Sequence, residues 1–179
     1  MSIYAPGTFT GQYEVASPTE LAQADAVLCH EFAWRRQGLG NVNEALAAYT
    51  VEHYAGRRIY AAERIAKAMQ KLDTSLEIAG VLIGPSSNVA ATEGGTWGEI
   101  LKAQELSGDT LRSVITVAQA FHAPRTKRQT EKAGIKALIP PNLPREFDPQ
   151  SEQRWTHNAV LWAARELIGA PILRHRDHL

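Results

Sequence analysis

The residues best suited to chemistry in this sequence are a histidine and an arginine that follow an apolar run. Residues 114–117 are apolar and mostly β-branched, as in a buried strand. After them comes AQAFHAPR, in which Pro124 suits the first turn of a helix and Gly134 suits its stop. His122 and Arg125 are therefore predicted at a helix N-terminus beyond the carboxyl end of a strand. Open α/β sheets place ligands there, and the amide groups and helix dipole favour an anion.

Each of these two side chains also has a purely structural interpretation. The imidazole of His122 suits proton transfer or a bond to an anion, but it could equally cap the following helix and pack under the turn. Arg125 in a first helical turn opposes the helix dipole, so stability alone would not place it there. Its guanidinium matches a carboxylate or a phosphate, which a ligand could supply, or Glu93 or Glu31 in a salt bridge.

Further polar residues follow the other predicted strands. If the strands are parallel, their carboxyl ends meet at one edge of the sheet, and these residues gather in one cleft. The additional candidates for ligand binding are Ser87, Asn88, Thr92, His30, Glu31 and Glu63, and Glu93 is a candidate catalytic residue beside His122.

Alternatives remain open for several members of this set. Asn88 and Glu93 could hold a ribose or an amino group, although a loop of this composition also forms turns that satisfy their own polar groups. Glu31 could set the tautomer of His30 or act as a base, although neighbours in a strand point to opposite faces. Cys29 is interpreted as a buried small hydrophobic residue.

Charge and composition exclude several classes of function. Nineteen basic residues balance nineteen acidic ones, and this balance gives no indication of a nucleic-acid or membrane partner. One cysteine excludes an internal disulfide and a multi-cysteine metal site, and we predict no metal. No apolar run is long enough to span a bilayer, and the first residues do not resemble a signal peptide. The expectation is a cytoplasmic protein, monomeric or homodimeric, with a small-molecule partner.

The elements that must position these residues alternate between strand and helix. Residues 1–16 are predicted as an irregular arm, and Ser17 to Glu20 form a capping box that opens a short helix. Residues 57–62 are ambiguous between a strand and an extension of the next helix. The predicted strands cover 24–30, 78–83, 114–117 and 135–139. The later helices are predicted at 43–54 (capped by Asn43), at 63–72, at 96–106 (opened by a capping box from Thr96 to Glu99), after Pro124, and at 148–168 (ended by Gly169 and Pro171).

This order predicts a single α/β domain with a mostly parallel sheet of about five strands, covered by helices on both faces. Trp155 and Trp162, at helical spacing in the last helix, are interpreted as core or a subunit contact. The final residues, 170–179, are predicted to be a tail.

Several of these segments resemble the SanA/ElyC/YdcF-like family. Residues 115–125, ITVAQAFHAPR, resemble its strand and following His-x-Pro-Arg turn, and residues 63–66 resemble its Glu-x-x-Ala helix start. Ser87-Asn88 and Thr92-Glu93 resemble its Ser-x-Asn-Thr-x-Glu loop. The likeness covers roughly residues 25–141. The family's glycine-rich end of the first strand is replaced here by residues 30–32, HEF.

The resemblance implies a Rossmann-like three-layer fold, a second strand at residues 57–62, and a ligand such as S-adenosylmethionine or another nucleotide-like molecule. Together with the residues, it leads to the expectation of a small-molecule-binding protein or an enzyme of group transfer or hydrolysis, with His122 as acid–base. The alternative is a non-catalytic module that senses a metabolite or docks a protein partner, in envelope-related regulation for example.

Overall fold

The structure is a computed structural model that describes residues 9–82 and 95–175, with side chains of the last helix up to residue 168. The strands are β1 (Ala26–Cys29), β2 (Ile59–Ala62), β3 (Gly80–Leu82), β4 (Ser113–Val117) and β5 (Lys136–Leu138). The α-helices are α1 (Pro18–Gln23), α2 (Asn41–Tyr54), α3 (Glu63–Leu72), α4 (Gly95–Ser107), α5 (Ala123–Lys132) and α6 (Ala159–His175), and a 3-10 turn covers Arg154–Thr156. None of the helices in these ranges is long and apolar enough to cross a membrane.

All five described strands are parallel and lie in the order β3-β2-β1-β4-β5. The fold is therefore α/β and Rossmann-like, as predicted. β1 lies at the centre of the sheet, where Val27 pairs with Ile59 of β2 and Ile115 of β4. The strand order reverses between β1 and β4. In open α/β sheets, the crevice beyond the carboxyl ends of such a pair is the usual ligand site.

Two apolar cores cover the two faces of this sheet. In β1, Val27 and Cys29 face the core formed with α2 and α3, whereas Ala26 and Leu28 face the core formed with α4. All four residues are fully buried. A strand that is buried on both faces has a continuous apolar sequence rather than an alternation of apolar and polar residues. This explains why β1 is recognisable from the sequence.

Several local predictions are confirmed. The side chain of Ser17 accepts from the backbone of Glu20, and Glu20 bonds back to Ser17, so α1 begins with the predicted capping box. The ambiguous segment at 57–62 forms β2. α5 has Pro124 in its first turn, and Gly134 follows its end with a φ of 81°. A left-handed φ of this kind is open to glycine at no steric cost.

Two predicted helix starts are wrong. α2 begins at Asn41 after Gly40, and Asn43 instead donates to the carbonyl groups of Ala33 and Leu39, holding the loop after β1. α4 already begins at Gly95, so Thr96 lies inside its first turn and cannot be the cap. In both cases the polar side chain bonds to a group outside its own helix, and this contact outweighs the local capping pattern.

The last helix differs most from its prediction. It begins at Ala159 rather than near Asp148, because the buried side chain of Asp148 bonds to Arg35 and leaves residues 148–158 irregular around a 3-10 turn. It also continues through Gly169 and Pro171 to His175, so residues 170–175 are helix rather than tail. Proline removes a single helical hydrogen bond, which weakens a helix but does not always end it.

Candidate functional site

A cleft lies beyond the carboxyl ends of β1 and β4, at the point where the strand order reverses. It has a volume of about 90 Å³. A single water needs roughly 10–15 Å³ of such space, so the cleft has room for several waters or a small anionic group. It is lined by Glu31, Phe32, Trp34, Gly95, Thr96, Glu99, His122, Arg125, Gln153, Trp155, Trp162 and Arg165.

The turn after β4 presents His122 to this cleft. Gln119 organises the turn, because its backbone carbonyl accepts from the amide groups of His122 and Ala123. Its side-chain amide donates to the carbonyl groups of Arg145 and Glu146, which ties the turn to a neighbouring loop. The backbone of His122 is already helical, and its side chain does not cap α5. His122 is thus the N-cap residue of α5 by position, but the prediction that its side chain caps the helix is wrong. The side chain is buried, as the structural interpretation expected.

The imidazole of His122 is buried against aromatic rings and one hydroxyl group. Its Nε2 lies 3.1 Å from Oγ1 of Thr96, and its ring centroid lies 5.4 Å from that of Trp162 and 5.9 Å from that of Phe32. Nδ1 has no hydrogen-bond partner among the described residues. Burial first, and then the positive charge of Arg125, lower the pKa of His122 well below its usual value, so the ring is neutral at pH 7.

Two guanidinium groups share one carboxylate on the same wall. Arg125 is buried and its Nη1 lies 3.1 Å from Oε1 of Glu166, which also contacts Nη1 of Arg165. The alternative interpretation of Arg125 as a salt-bridge residue is thus correct: among the described residues its partner is Glu166 of α6 and not Glu31, while Glu93 lies outside the described residues. Burial and Arg125 together lower the pKa of Arg165 to about 10, which leaves it charged at neutral pH.

Tryptophan rings surround the guanidinium group of Arg165. Its central carbon lies 5.4 Å from the ring centroids of both Trp155 and Trp162, within the range of a cation–π interaction. Trp162 is buried in the core as predicted, and its indole Nε1 has no hydrogen-bond partner among the described residues. Trp155 is 37% exposed at the rim of the cleft. Both tryptophans line the site, so interpreting them as core or subunit contact alone was incomplete.

The turn after β1 contributes a buried histidine–glutamate pair. Nδ1 of His30 lies 2.7 Å from Oε2 of Glu99, and neither side chain is more than 2% exposed. Because a carboxylate can only accept, the shared hydrogen belongs to Nδ1. The acid that holds His30 is therefore Glu99 from α4, not its sequence neighbour Glu31. The pair ties the end of the central strand to the first turns of α4.

Glu31 extends into the cleft from the same turn. Its side chain is 6% exposed, and its Oε1 accepts from Nη1 of Arg64 at 3.0 Å. Its Oε2 is buried without a hydrogen-bond partner in the described part of the chain. Burial, reinforced by the charges of Glu99 and Glu63 and opposed by Arg64, raises the pKa of Glu31 to about 7.

The predicted site residues thus separate into three groups. His122, Arg125 and Glu31 line the cleft, and His30 lies directly behind it through Glu99. Glu63 does not line the cleft: its side chain is 50% exposed and pairs with Lys67 one helical turn later. The remaining four predicted residues, Ser87, Asn88, Thr92 and Glu93, lie outside the described residues.

Sequence reasoning missed most of the other lining residues. Thr96 and Glu99 carried a signal, since their spacing of three was interpreted as a capping box, whereas it also places two side chains on one face of a helix. Arg165 and Glu166 carried none, because adjacent charges in a helix are typical of a solvent-exposed face. Their role depends on where α6 packs.

No family model matches this chain, and no curated protein or solved structure matches it. The described residues also contain no group of three or more histidine, cysteine, aspartate or glutamate side chains that could hold a metal ion. The geometry of the cleft is therefore the basis for any functional proposal.

The raised pKa of Glu31 predicts that stability depends on pH in this region. Between pH 4.5 and about 7 the folded protein holds a proton on Glu31 that the unfolded chain has lost, so stability falls as pH rises through this range. The Glu31→Gln variant has no carboxyl group to titrate at this position. Between pH 5 and pH 8 its free energy of unfolding, measured with urea, should therefore fall less than that of the wild type, by on the order of 2 kcal/mol.

The matched control for this comparison is Glu105→Gln. Glu105 is an exposed carboxyl of α4 that pairs with Lys102 and is not among the groups that shift the pKa of Glu31, so this variant should lose stability with rising pH as the wild type does. If the free energy of unfolding depended on pH in the same way in the wild type and in Glu31→Gln, the prediction would be contradicted.

Proposed function

We propose that this protein binds a small molecule through an anionic group, a phosphate or a carboxylate, in the cleft between the ends of β1 and β4. The observation that carries the proposal is a surplus of buried donors. Nε of Arg125 and Nε1 of Trp162 are N–H groups with no acceptor among the described residues. A buried donor without an acceptor costs about 1–3 kcal/mol, and an oxyanion in the cleft would satisfy it.

The charge balance of the wall supports the same ligand class. Two guanidinium groups, those of Arg125 and Arg165, face the single carboxylate of Glu166, while His122 is neutral. Among the described residues, one positive charge is therefore left without a counter-charge on this wall. Arginine presents a fork of donors that matches a carboxylate or phosphate, so the surplus favours an anion of that kind.

The size of the cleft and its rim indicate what the part of the ligand beyond the anionic group could be. Its volume suits the anionic group alone, and the exposed ring of Trp155 at the rim offers a surface on which a flat group could stack. A nucleotide or S-adenosylmethionine combines a polar end with a flat base, and the resemblance to the SanA/ElyC/YdcF-like family supports the same class. We include group transfer or hydrolysis in the proposal, since a neutral His122 can accept a proton from a bound group.

The test is a thermal-shift screen with inorganic sulfate, inorganic phosphate, S-adenosylmethionine, S-adenosylhomocysteine, adenosine nucleotides and glucose 6-phosphate. A ligand at 100 times its dissociation constant adds about 2.7 kcal/mol to the free energy of unfolding, which gives a clear shift in the melting temperature.

We expect Arg165→Gln to weaken binding of any hit at least ten-fold. Arg154→Gln makes the same charge change at an exposed position outside the cleft and should leave affinity unchanged.

Two results would overturn the proposal. One is the absence of a shift with every compound in the panel. The other is an equal loss of affinity in Arg165→Gln and Arg154→Gln, which would indicate attraction by overall charge rather than binding in the cleft. A hit that is bound but not turned over would favour a metabolite sensor over an enzyme.

A further inference from the structure

Glu31 places a buried carboxyl oxygen in a cleft that is otherwise suited to an anion. Glu31 lines the cleft, and Oε1 of its carboxyl group accepts from Nη1 of Arg64 at 3.0 Å. The other oxygen, Oε2, is buried and has no hydrogen-bond partner within the described ranges. An ionised carboxylate with a bare oxygen would repel a bound anion across this small space.

Arg64 cannot fully offset this charge, because it is engaged elsewhere. Its Nη2 donates to the backbone carbonyl of Arg35 at 3.1 Å, and its guanidinium lies over the ring of Trp34 at 5.2 Å. Only one of its N–H groups reaches Glu31. The guanidinium is therefore a partial counter-ion that also fixes the loop after β1.

The other charged groups near Glu31 act against its ionisation. Glu99 from α4 and Glu63 from α3 both add negative charge, and His30, the preceding residue, is committed to Glu99. The guanidinium groups of Arg125 and Arg165 lie beside His122 and share the carboxylate of Glu166. The cleft therefore combines guanidinium donors near His122 with the carboxyl groups of Glu31 and Glu99 among its lining residues.

On the basis of the proposed function, we propose that the anion enters the cleft together with one proton, which Glu31 holds and through which its Oε2 donates a hydrogen bond to the ligand. The proton comes from solvent and forms an O–H bond at Oε2, and no bond of the ligand changes. Protonation removes the repulsion and converts the bare acceptor into the donor that an oxyanion needs. The ligand is therefore one with acceptor oxygens toward both walls, as a phosphate or carboxylate has.

The pKa of Glu31, about 7, means that this coupling can be measured between pH 6 and pH 8. If only the protonated form binds, about nine-tenths of the protein is competent at pH 6 and about one-tenth at pH 8. Affinity should then fall about ten-fold between these values. His122 titrates well below this range and Arg165 above it, so neither produces the same change.

The experiment uses inorganic sulfate, which stays a dianion throughout this range and cannot itself take up the proton. Sulfate affinity of the full chain is measured by calorimetry at pH 6, 7 and 8, with sodium chloride at equal ionic strength as the reference. The titration of Glu31 is followed in parallel by carbon NMR of its carboxyl group. We expect a ten-fold fall in affinity and a rise in the Glu31 midpoint when sulfate is present.

Two variants locate the proton. Glu31→Gln should bind sulfate with an affinity that no longer depends on pH. Glu105→Gln, which changes an exposed carboxyl of α4 outside the cleft, should behave as wild type. Wild-type binding that is independent of pH, an unmoved Glu31 midpoint, or a pH dependence retained in Glu31→Gln would each overturn the inference. Because the carboxyl titration is measured on wild type, a poorly folding variant does not remove the test.

The experiments distinguish a failure of the proposed anion site from a failure of the proposed role of Glu31. If sulfate does not bind at any pH and no compound in the thermal-shift panel binds, the proposed anion site is wrong and this inference fails with it. If sulfate binds with the same affinity at every pH, the anion site stands and only the role of Glu31 is overturned.

Discussion

Replacing Glu99 with alanine should lower the free energy of unfolding by about 3 to 5 kcal/mol. Glu99 and His30 are both buried, and their 2.7 Å contact joins the end of β1 to the first turns of α4. Truncation leaves a buried imidazole N–H without an acceptor and a cavity beside it. Urea unfolding at pH 7 measures the change.

Two variants separate this contact from the general effect of substitution. Glu99→Gln keeps an oxygen that can accept from Nδ1 of His30, so it should cost much less than alanine. Glu105→Ala removes an exposed carboxylate of the same helix that pairs with Lys102, and should change stability by less than about 1 kcal/mol. Equal losses in Glu99→Ala and Glu105→Ala would contradict a stabilising role for the buried pair.

Replacing Asp148 with alanine should lower the free energy of unfolding by about 2 to 4 kcal/mol. This loss is smaller than that for Glu99 because Arg35, the partner of Asp148, is 21% exposed. Asp148 is fully buried and accepts from Nε and Nη2 of Arg35 and from the backbone amide of Gln150. This cluster ties the loop after β1 to residues 148–153. The cleft is lined from both segments, so binding should weaken along with stability.

The control for Asp148 is Glu63→Ala. Its pair with Lys67 is exposed and follows helical spacing, so its loss should cost no more than about 0.5 kcal/mol. The same variant tests the placement of Glu63 outside the cleft, since it should leave sulfate binding unchanged at pH 6, where Glu31 is mostly protonated. A large stability loss in this variant, or none in Asp148→Ala, would contradict the energetic ranking of the two pairs.

The parts of the fold that were predictable are those encoded by neighbours in the sequence. β1 and β4 are short apolar runs, and α1 has its capping box within four residues. Alternation of such elements implies parallel strands with right-handed crossovers, which constrains the sheet order strongly. His122 and Arg125 could be placed at one edge of the sheet for the same reason.

The parts that failed depend on contacts between distant residues. Thr96 carries a local pattern typical of a helix cap, yet its hydroxyl group lies against His122. Asp148 carries a pattern typical of a helix start, yet its side chain accepts a hydrogen bond from Arg35, 113 positions earlier. In both cases a buried tertiary hydrogen bond is worth more than the exposed local one it replaces.

Local periodicity and the order of elements in the sequence are sufficient to place an imidazole and a guanidinium at the carboxyl edge of a parallel sheet. The charges that these two groups meet depend instead on how the helices pack. Glu166 reaches Arg125, and Glu99 reaches His30, through the packing of α6 and α4 against the sheet. Burial then sets the proton affinities of His122 and Glu31, and burial is a property of the assembled layers rather than of any segment.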